Sequence, residues 1–238
     1  MIKAISRSLF SLVFPSHCPL CGDLLDSREK DGLCTTCENG ISFIPSPHCP
    51  GCGRHSPAET DRCGHCVSEK FHFDRAYACC AYLSGVKDLL LSFKFGRKRP
   101  LASFFGRRMA RFAEQHIPGA MRQTVVPVPM PAALEQDRGF NQSELLGRRL
   151  SAQLKVPFAA GALGCRPSDT TQARLGKEQR KTNVEGRFFV RRKGAVSGKN
   201  VLLIDDILTT GHTASSCAKA LKDAGAKRVT VLAFARGL

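Results

Sequence analysis

Eight cysteines arranged as four C-x-x-C pairs within 49 residues constrain this chain more than any other feature. They stand at Cys18, Cys21, Cys34, Cys37, Cys49, Cys52, Cys63 and Cys66, spaced C-x2-C-x12-C-x2-C, then 11 residues, then C-x2-C-x10-C-x2-C. Two residues between ligands let one tight turn present both thiolates to a tetrahedral Zn2+, and a second turn supplies the other pair. The leading pairs repeat one knuckle, Cys-Pro-x-Cys-Gly, at Cys18 to Gly22 and Cys49 to Gly53, so the segment reads as an internal duplication. Glycine after the second cysteine permits the positive φ of such a turn. One structural zinc is therefore assigned to Cys18, Cys21, Cys34 and Cys37 and the other to Cys49, Cys52, Cys63 and Cys66, although an alternating, cross-braced pairing also satisfies the spacing. His48, His55 and His65 stand nearby and are read as surface residues, since each site already has four thiolates. A segment this small buries little apolar core, so metal binding is folding for residues 16–70. The four remaining cysteines, Cys79, Cys80, Cys165 and Cys217, have no adjacent His and read as small buried apolar residues.

A disulfide framework would require an oxidising compartment. The first residues do not read as an export signal, because the apolar run after Arg7 is short, interrupted by Ser and followed by no small-residue cleavage site. Ile2, Ile5, Leu9, Leu12 and Val13 recur instead at helical spacing, with Pro15 as the stop, which predicts an amphipathic helix over 1–15. No apolar run approaches the roughly 20 residues of a bilayer span. The expected location is the cytoplasm.

Net charge is +16, and it is unevenly spread: residues 1–86 carry 8 Lys and Arg against 9 acids, residues 87–238 carry 28 against 11. The second part is therefore the one that attracts a polyanion or a phosphate-rich small molecule. From residue 76 the pattern alternates between strand-like segments (76–82, 123–128, 186–190, 200–205, 228–234) and helix-like segments (85–94, 101–116, 141–154, 212–224). That alternation predicts an α/β domain over 76–238 with a mainly parallel sheet.

Within it, Val201-Leu-Leu-Ile-Asp205-Asp206-Ile-Leu-Thr209-Thr210-Gly211-His-Thr213 combines four apolar residues, two acids and a Thr/Gly loop that runs into a helix. A buried parallel strand would deliver the carboxylates to the carboxyl end of the sheet, where open α/β sheets bind ligands. The loop would add backbone N–H groups and hydroxyls at a helix N-terminus, which favours phosphate. Acceptors for hydroxyls beside donors for phosphate suit a phosphorylated sugar.

All thirteen of these positions agree with the motif that type I phosphoribosyltransferases use for 5-phosphoribosyl 1-diphosphate (PRPP), and the domain resembles that family. The resemblance implies that Asp205 and Asp206 hold the ribose hydroxyls, that Ile207 to Thr213 (Ile207, Leu208, Thr209, Thr210, Gly211, His212, Thr213) form the phosphate loop, and that Mg2+ accompanies the diphosphate. The chain as a whole resembles the ComF family of competence-associated and DNA-utilisation proteins, which joins a double zinc ribbon to a phosphoribosyltransferase fold. Three blocks carry this likeness: the ribbons; Val126-Pro-Val-Pro-Met130 with Arg138-Gly-Phe-Asn-Gln142; and Thr171-Gln172 through Leu175, Arg180 and Asn183 to Gly186 and Phe188. Pro127 to Arg138 falls where this fold forms its diphosphate loop, with Arg138 as anion contact and Asn141 capping the next helix. Residues 166–193 hold 9 Lys and Arg against 3 acids and read as a basic flap, in which Arg174, Lys177, Arg180 and Lys181 would meet the leaving diphosphate. Enzymes of this fold that salvage 6-oxopurines usually carry Asp where this chain has Thr209, which disfavours hypoxanthine and guanine as acceptors. No G-x-x-x-x-G-K-[ST] is present to drive ATP-powered movement.

A competing feature is the run 87–111, where Lys87, Lys94, Arg97, Lys98, Arg99, Arg107, Arg108 and Arg111 face a single acid, Asp88, among Phe93, Phe95, Phe104 and Phe105. Cations with aromatic faces are the ingredients of single-strand binding. Lys94, Arg97, Lys98, Arg99, Arg107 and Arg108 are the candidate contacts to single-stranded DNA. The ribbon segment is not basic, so it is expected to dock a protein, such as a DNA-uptake ATPase or translocase. Three functions compete on this reading: DNA handling with PRPP binding, an active transferase of unknown acceptor, and a PRPP-responsive regulator.

Overall fold

A computed structural model describes residues 16–26, 29, 31–56, 62–167 and 186–237. The amphipathic helix expected over 1–15 lies outside these residues. In chain order the elements are α1 (Thr35–Asn39), α2 (Gly64–Ser68), β1 (Arg75–Ala81), α3 (Ser84–Lys94), α4 (Leu101–His116), β2 (Thr124–Pro127), α5 (Ala132–Arg138), α6 (Gln142–Leu154), β3 (Leu163–Cys165), β4 (Phe188–Val190), β5 (Asn200–Leu208), α7 (His212–Asp223) and β6 (Arg228–Arg236).

Four strands form an all-parallel sheet in the order β1-β6-β5-β2. Val201 to Ile204 are fully buried, which a strand covered on both faces requires and which explains their unbroken apolar run. One face carries α3, α4 and α6 through Leu89, Leu90, Phe93, Phe104, Phe105, Leu146 and Leu150; the other carries α7 through Ala214, Cys217, Ala218 and Leu221. Each fully buried Phe contributes about 1.5–3 kcal/mol relative to exposure. Phe93, Phe104 and Phe105 therefore belong to the core, and Phe95 alone of the four in the basic run is exposed, at 67%.

Two differences from the sequence reading concern strands. Residues 186–190 do not join the main sheet: β4 pairs antiparallel with β3, a three-residue Leu-Gly-Cys strand too short to register as a pattern. β5 also runs past residue 205 to Leu208, because β6 is equally long and keeps the ladder going, with Asp205 opposite Ala233 and Leu208 opposite Arg236.

The cysteine-rich segment packs on this domain at two places. Leu33, Ile41, Cys18 and Cys34 enter the core of the helical layer. Arg107 on α4 holds this ribbon by ion pairs to Asp31 and Glu38, the latter at 2.9 Å. Backbone contacts also line both borders of the sheet. Ile44 N–H donates to Cys79 O at 2.8 Å on β1, and on β2 the Val125 N–H donates to Pro157 O while its carbonyl accepts from Ala159 N–H, both at 2.9 Å. Gly53 turns the second knuckle at φ 72°, and a Cβ there would stand 2.7 Å from Ala76 O, so only glycine lets the knuckle lie against β1. Among the described residues no helix is long and apolar enough to cross a membrane.

Candidate functional site

At the carboxyl end of β5 the two acids are held differently. Asp205 is partly buried, and its Oδ1 accepts from Ser143 Oγ at 3.0 Å and from the Asp206 N–H at 2.9 Å. Asp206 is 8% exposed and its Oδ2 pairs with Lys94 Nζ at 2.8 Å. Burial, and then the negative charge of Asp206, push the Asp205 carboxyl up to about 7. Thr209, Thr210 and Thr213 are exposed. Gly211 precedes α7 in the left-handed region at φ 91°, and no side chain caps the helix. The first N–H groups of α7 thus have no intrahelical acceptor, and the exposed Thr209, Thr210 and Thr213 adjoin them in sequence, a combination suited to an anion. The loop is anchored from behind, where Arg236 donates to the carbonyls of Leu208 and Thr209.

The raised Asp205 value has a testable sign. A carboxyl near 3.9 in the unfolded chain and about 7 in the native one binds its proton more tightly when folded, so stability is lost as pH rises between these values. Asp205→Asn removes the titration. Its melting temperature relative to the unsubstituted protein is therefore expected to climb between about pH 4.5 and 7.5, by an amount equivalent to about 2–4 kcal/mol. Parallel melting curves across that range would remove the assignment.

The loop after β2 completes the other wall. Val128 N–H donates to Ile204 O at 2.9 Å, and Asn141 Nδ2 donates to Val128 O at 3.1 Å. Asn141 Oδ1 also caps α6 by accepting the Glu144 N–H at 3.4 Å. Much of the stretch 127–138 is the helix α5 rather than open loop. Arg138, at its end, donates to Gln142 Oε1 at 3.0 Å and lies 5.1 Å above the Phe95 ring. Sequence reasoning missed Ser143 and the role of Lys94 here. Nothing in a lone Ser points across 62 positions to Asp205, and Lys94 is absorbed into a longer run of cations.

That run is divided by the structure. Lys94 pairs with Asp206, Arg107 with Asp31 and Glu38, and Arg108 donates to Ile41 O while its guanidinium stacks on Phe43 at 4.4 Å. Arg97 and Arg99 are exposed yet donate to the carbonyls of Asp137 and Gly139, bracing the turn after α5. Lys98 is exposed. Arg174, Lys177, Arg180 and Lys181 lie outside the described residues.

The sulfurs of Cys18, Cys21, Cys34 and Cys37 lie within 4.8 Å of one another, as do those of Cys49, Cys52, Cys63 and Cys66. The grouping is sequential, not cross-braced. Four thiolates at about 2.3 Å from a tetrahedral zinc stand about 3.8 Å apart, and Cys21 to Cys34 at 3.7 Å and Cys52 to Cys63 at 3.5 Å match that spacing. Although burial opposes ionisation, hydrogen bonds from the backbone at Cys34, Cys21 and Leu20 bring Cys18 down to about 6, and those at Cys63, Cys52 and Gly51 bring Cys49 to about 7. The residues fit zinc. His48 and His55 bond instead to the carbonyls of Ile44 and Pro45. Cys79, Cys80 and Cys217 are fully buried, with burial pushing Cys80 up to about 12, whereas Cys165 is only partly buried and so departs from the expected apolar role.

A parallel sheet whose third strand in space delivers two acids beside a Thr-Thr-Gly helix start defines a phosphoribosyltransferase-type domain. Residues 141–237 match the phosphoribosyl transferase domain model, and residues 9–67 match the double zinc ribbon domain model. Along most of its length the chain is similar to competence and DNA-utilisation proteins of the ComF type. It is 27% identical to Competence protein F of Haemophilus influenzae, covering 87% of this chain and 91% of that one. It is 28% identical to DNA utilization protein YhgH of Escherichia coli (95% and 100%) and 26% identical to Competence protein ComFC of Bacillus subtilis (89% and 85%). Among solved structures, the B. subtilis glutamine PRPP amidotransferase is similar over 56% of this chain and 26% of that one, at 21% identity and a TM-score of 0.39.

Proposed function

We propose that this protein binds PRPP through its phosphoribosyltransferase domain and acts in the handling of incoming single-stranded DNA in the cytoplasm. The observation that carries the PRPP reading is the pair Asp205 and Asp206 on β5, set immediately before the uncapped start of α7. In this reading the carboxylates accept from the ribose hydroxyls. The N–H groups and hydroxyls of Thr209 to Thr213 surround the 5-phosphate, with Ile207 and Leu208 as the strand end that sets the loop. Arg138 and Lys94 then stand on the diphosphate side, where Mg2+ would offset the remaining charge. Lys94 must loosen its hold on Asp206 for the sugar to be recognised, so it exchanges a carboxylate for a phosphate. Two structural zinc ions hold residues 16–70, and 76–238 form the ligand-binding unit. The ribbons are the surface for a DNA-uptake ATPase or translocase. Calorimetric titration of PRPP with and without Mg2+ tests the core of this proposal; no heat in either condition would remove it.

The DNA role is supported by the names of the relatives, Competence protein F and DNA utilization protein YhgH. Of the six candidate cations, Arg97, Lys98 and Arg99 carry it best, because they are exposed at one turn. Changing these three to Gln is expected to weaken binding of a fluorescent oligonucleotide about tenfold or more at low salt. It should also make the plot of log K against log salt shallower by about 2, at roughly 0.7 per phosphate. An unchanged slope would take this turn out of the DNA reading.

The same carboxylate and lysine arrangement also suits an active transferase. There the bond from C1 of the ribose to the diphosphate oxygen breaks, its electron pair leaves with diphosphate, and the acceptor's lone pair forms the new bond. Arg174, Lys177 and Arg180 would neutralise the leaving group. Diphosphate release across a panel of acceptors separates this from a PRPP-responsive regulator, which binds PRPP and changes partner affinity without consuming it.

A further inference from the structure

Arg236 is the largest fully buried side chain among the described residues, at 2% exposure. A guanidinium so placed needs countercharge, since an unpaired buried ion costs several kcal/mol. One terminal nitrogen serves the carbonyls of Leu208 and Thr209. Its Nε and its other terminal nitrogen have no oxygen acceptor, no carboxylate among the described residues is paired with it, and the side chain it meets instead is the Cys52 thiol. The groups that act on it are Arg54, Cys52 and Cys66. Cys52 and Cys66 belong to the second thiol cluster, and a zinc held by four thiolates carries a net charge of about −2. Loaded with zinc, that cluster supplies the missing countercharge, and Arg54 and Arg236 together balance it.

A second contact runs the same way. Phe71 packs on Cys49, Cys52 and Cys66 and stacks on Phe73 at 4.8 Å. Its other side meets the phosphate loop so closely that a Cβ at Gly211 would stand 3.1 Å from the ring. The next residue, His72, donates its N–H to Ser215 Oγ in the first turn of α7 at 3.0 Å. In the first cluster the main influences on Cys18, Cys21 and Cys37 are one another, Cys34, Asp23 and the Leu20 backbone.

We propose that Arg236 is a positioning residue for the phosphate loop, held in place by the thiolates of the second metal centre, so that Thr209 to Thr213 reach their anion-binding form only when Cys49, Cys52, Cys63 and Cys66 are loaded. This rests on the PRPP reading of the loop. The test uses the full-length protein and takes three measurements: zinc content, calorimetric PRPP affinity with Mg2+, and hydrogen exchange at the Thr209 to Thr213 amides without ligand. Arg236→Met is expected to keep both zinc ions, weaken PRPP about tenfold or more and speed exchange at those amides, and Arg236→Lys to restore part of both. Cys63→Ser should lose one zinc and reproduce both defects. Glu38→Ala, which loosens the first ribbon, should leave affinity and exchange within about twofold. Wild-type affinity and exchange in both Arg236→Met and Cys63→Ser would overturn the proposal, as would equal defects in Glu38→Ala. If Arg236→Met does not fold, the Lys and Cys63 variants decide by the same readings. If the unsubstituted protein does not bind PRPP, the ligand reading fails, and the exchange measurement still decides whether metal and loop are coupled.

Discussion

Asparagine at both Asp205 and Asp206 is expected to weaken PRPP binding about a hundredfold or more while the fold stays intact. Each carboxylate would accept a charge-assisted hydrogen bond from a ribose hydroxyl, and such bonds contribute about 1.5–3 kcal/mol apiece. Two of them account for the expected loss. An amide keeps the volume, and Ser143 Oγ and the Asp206 N–H retain an oxygen to donate to at position 205. At position 206 the change also frees Lys94, whose ion pair disappears. The freed ammonium then favours any anion in the pocket, so inorganic phosphate should bind as well as to the parent or better. That opposite response separates loss of sugar recognition from collapse of the site. Titrating PRPP and phosphate in turn checks it, and a double variant that binds PRPP like the parent would sink the assignment of these acids.

Stripping both metal ions with a strong chelator at neutral pH is expected to lower the melting temperature by about 10 °C or more. Structural zinc in small ribbons contributes about 10–16 kcal/mol of binding free energy that appears as folding free energy, and each kcal/mol moves a chain of this size by about 2–4 °C. Here the effect extends beyond the ribbons. Cys18 and Cys34 sit in the same core cluster as Leu33, Ile41, Leu90 and Phe112, so loss of the first centre exposes the helical layer as well. Melting followed by circular dichroism, with metal content measured on the same sample, gives the answer. An unchanged transition after both ions have left would mean that the thiols do not hold the ribbons together.

Much of this architecture is legible in the amino-acid sequence. The C-x-x-C spacing names all eight ligands, because ligand spacing is a local property, while the sequential grouping is read from the structure. The acid pair and Thr-Thr-Gly loop are equally plain, since strand, loop and helix start lie in thirteen consecutive residues. What the sequence hides is everything that depends on residues far apart. The lysine at 94 looks like one cation among eight, and only the packing of α3 across the end of β5 brings it to Asp206. Arg107 and Arg108 likewise read as surface charge, because their partners Asp31, Glu38 and Ile41 O come from the ribbon segment some 70 positions closer to the N-terminus. Strand β3 is invisible for another reason: three residues do not establish a period.

The backbone bonds at the two outer strands bear on how another chain could add to this sheet. Ile44 takes the Cys79 carbonyl on one flank, and the Pro157–Ala159 stretch takes both the amide and the carbonyl of Val125 on the other, so a visiting β-segment meets these positions already engaged. Continuous-sheet pairing with a second copy would have to displace these contacts first.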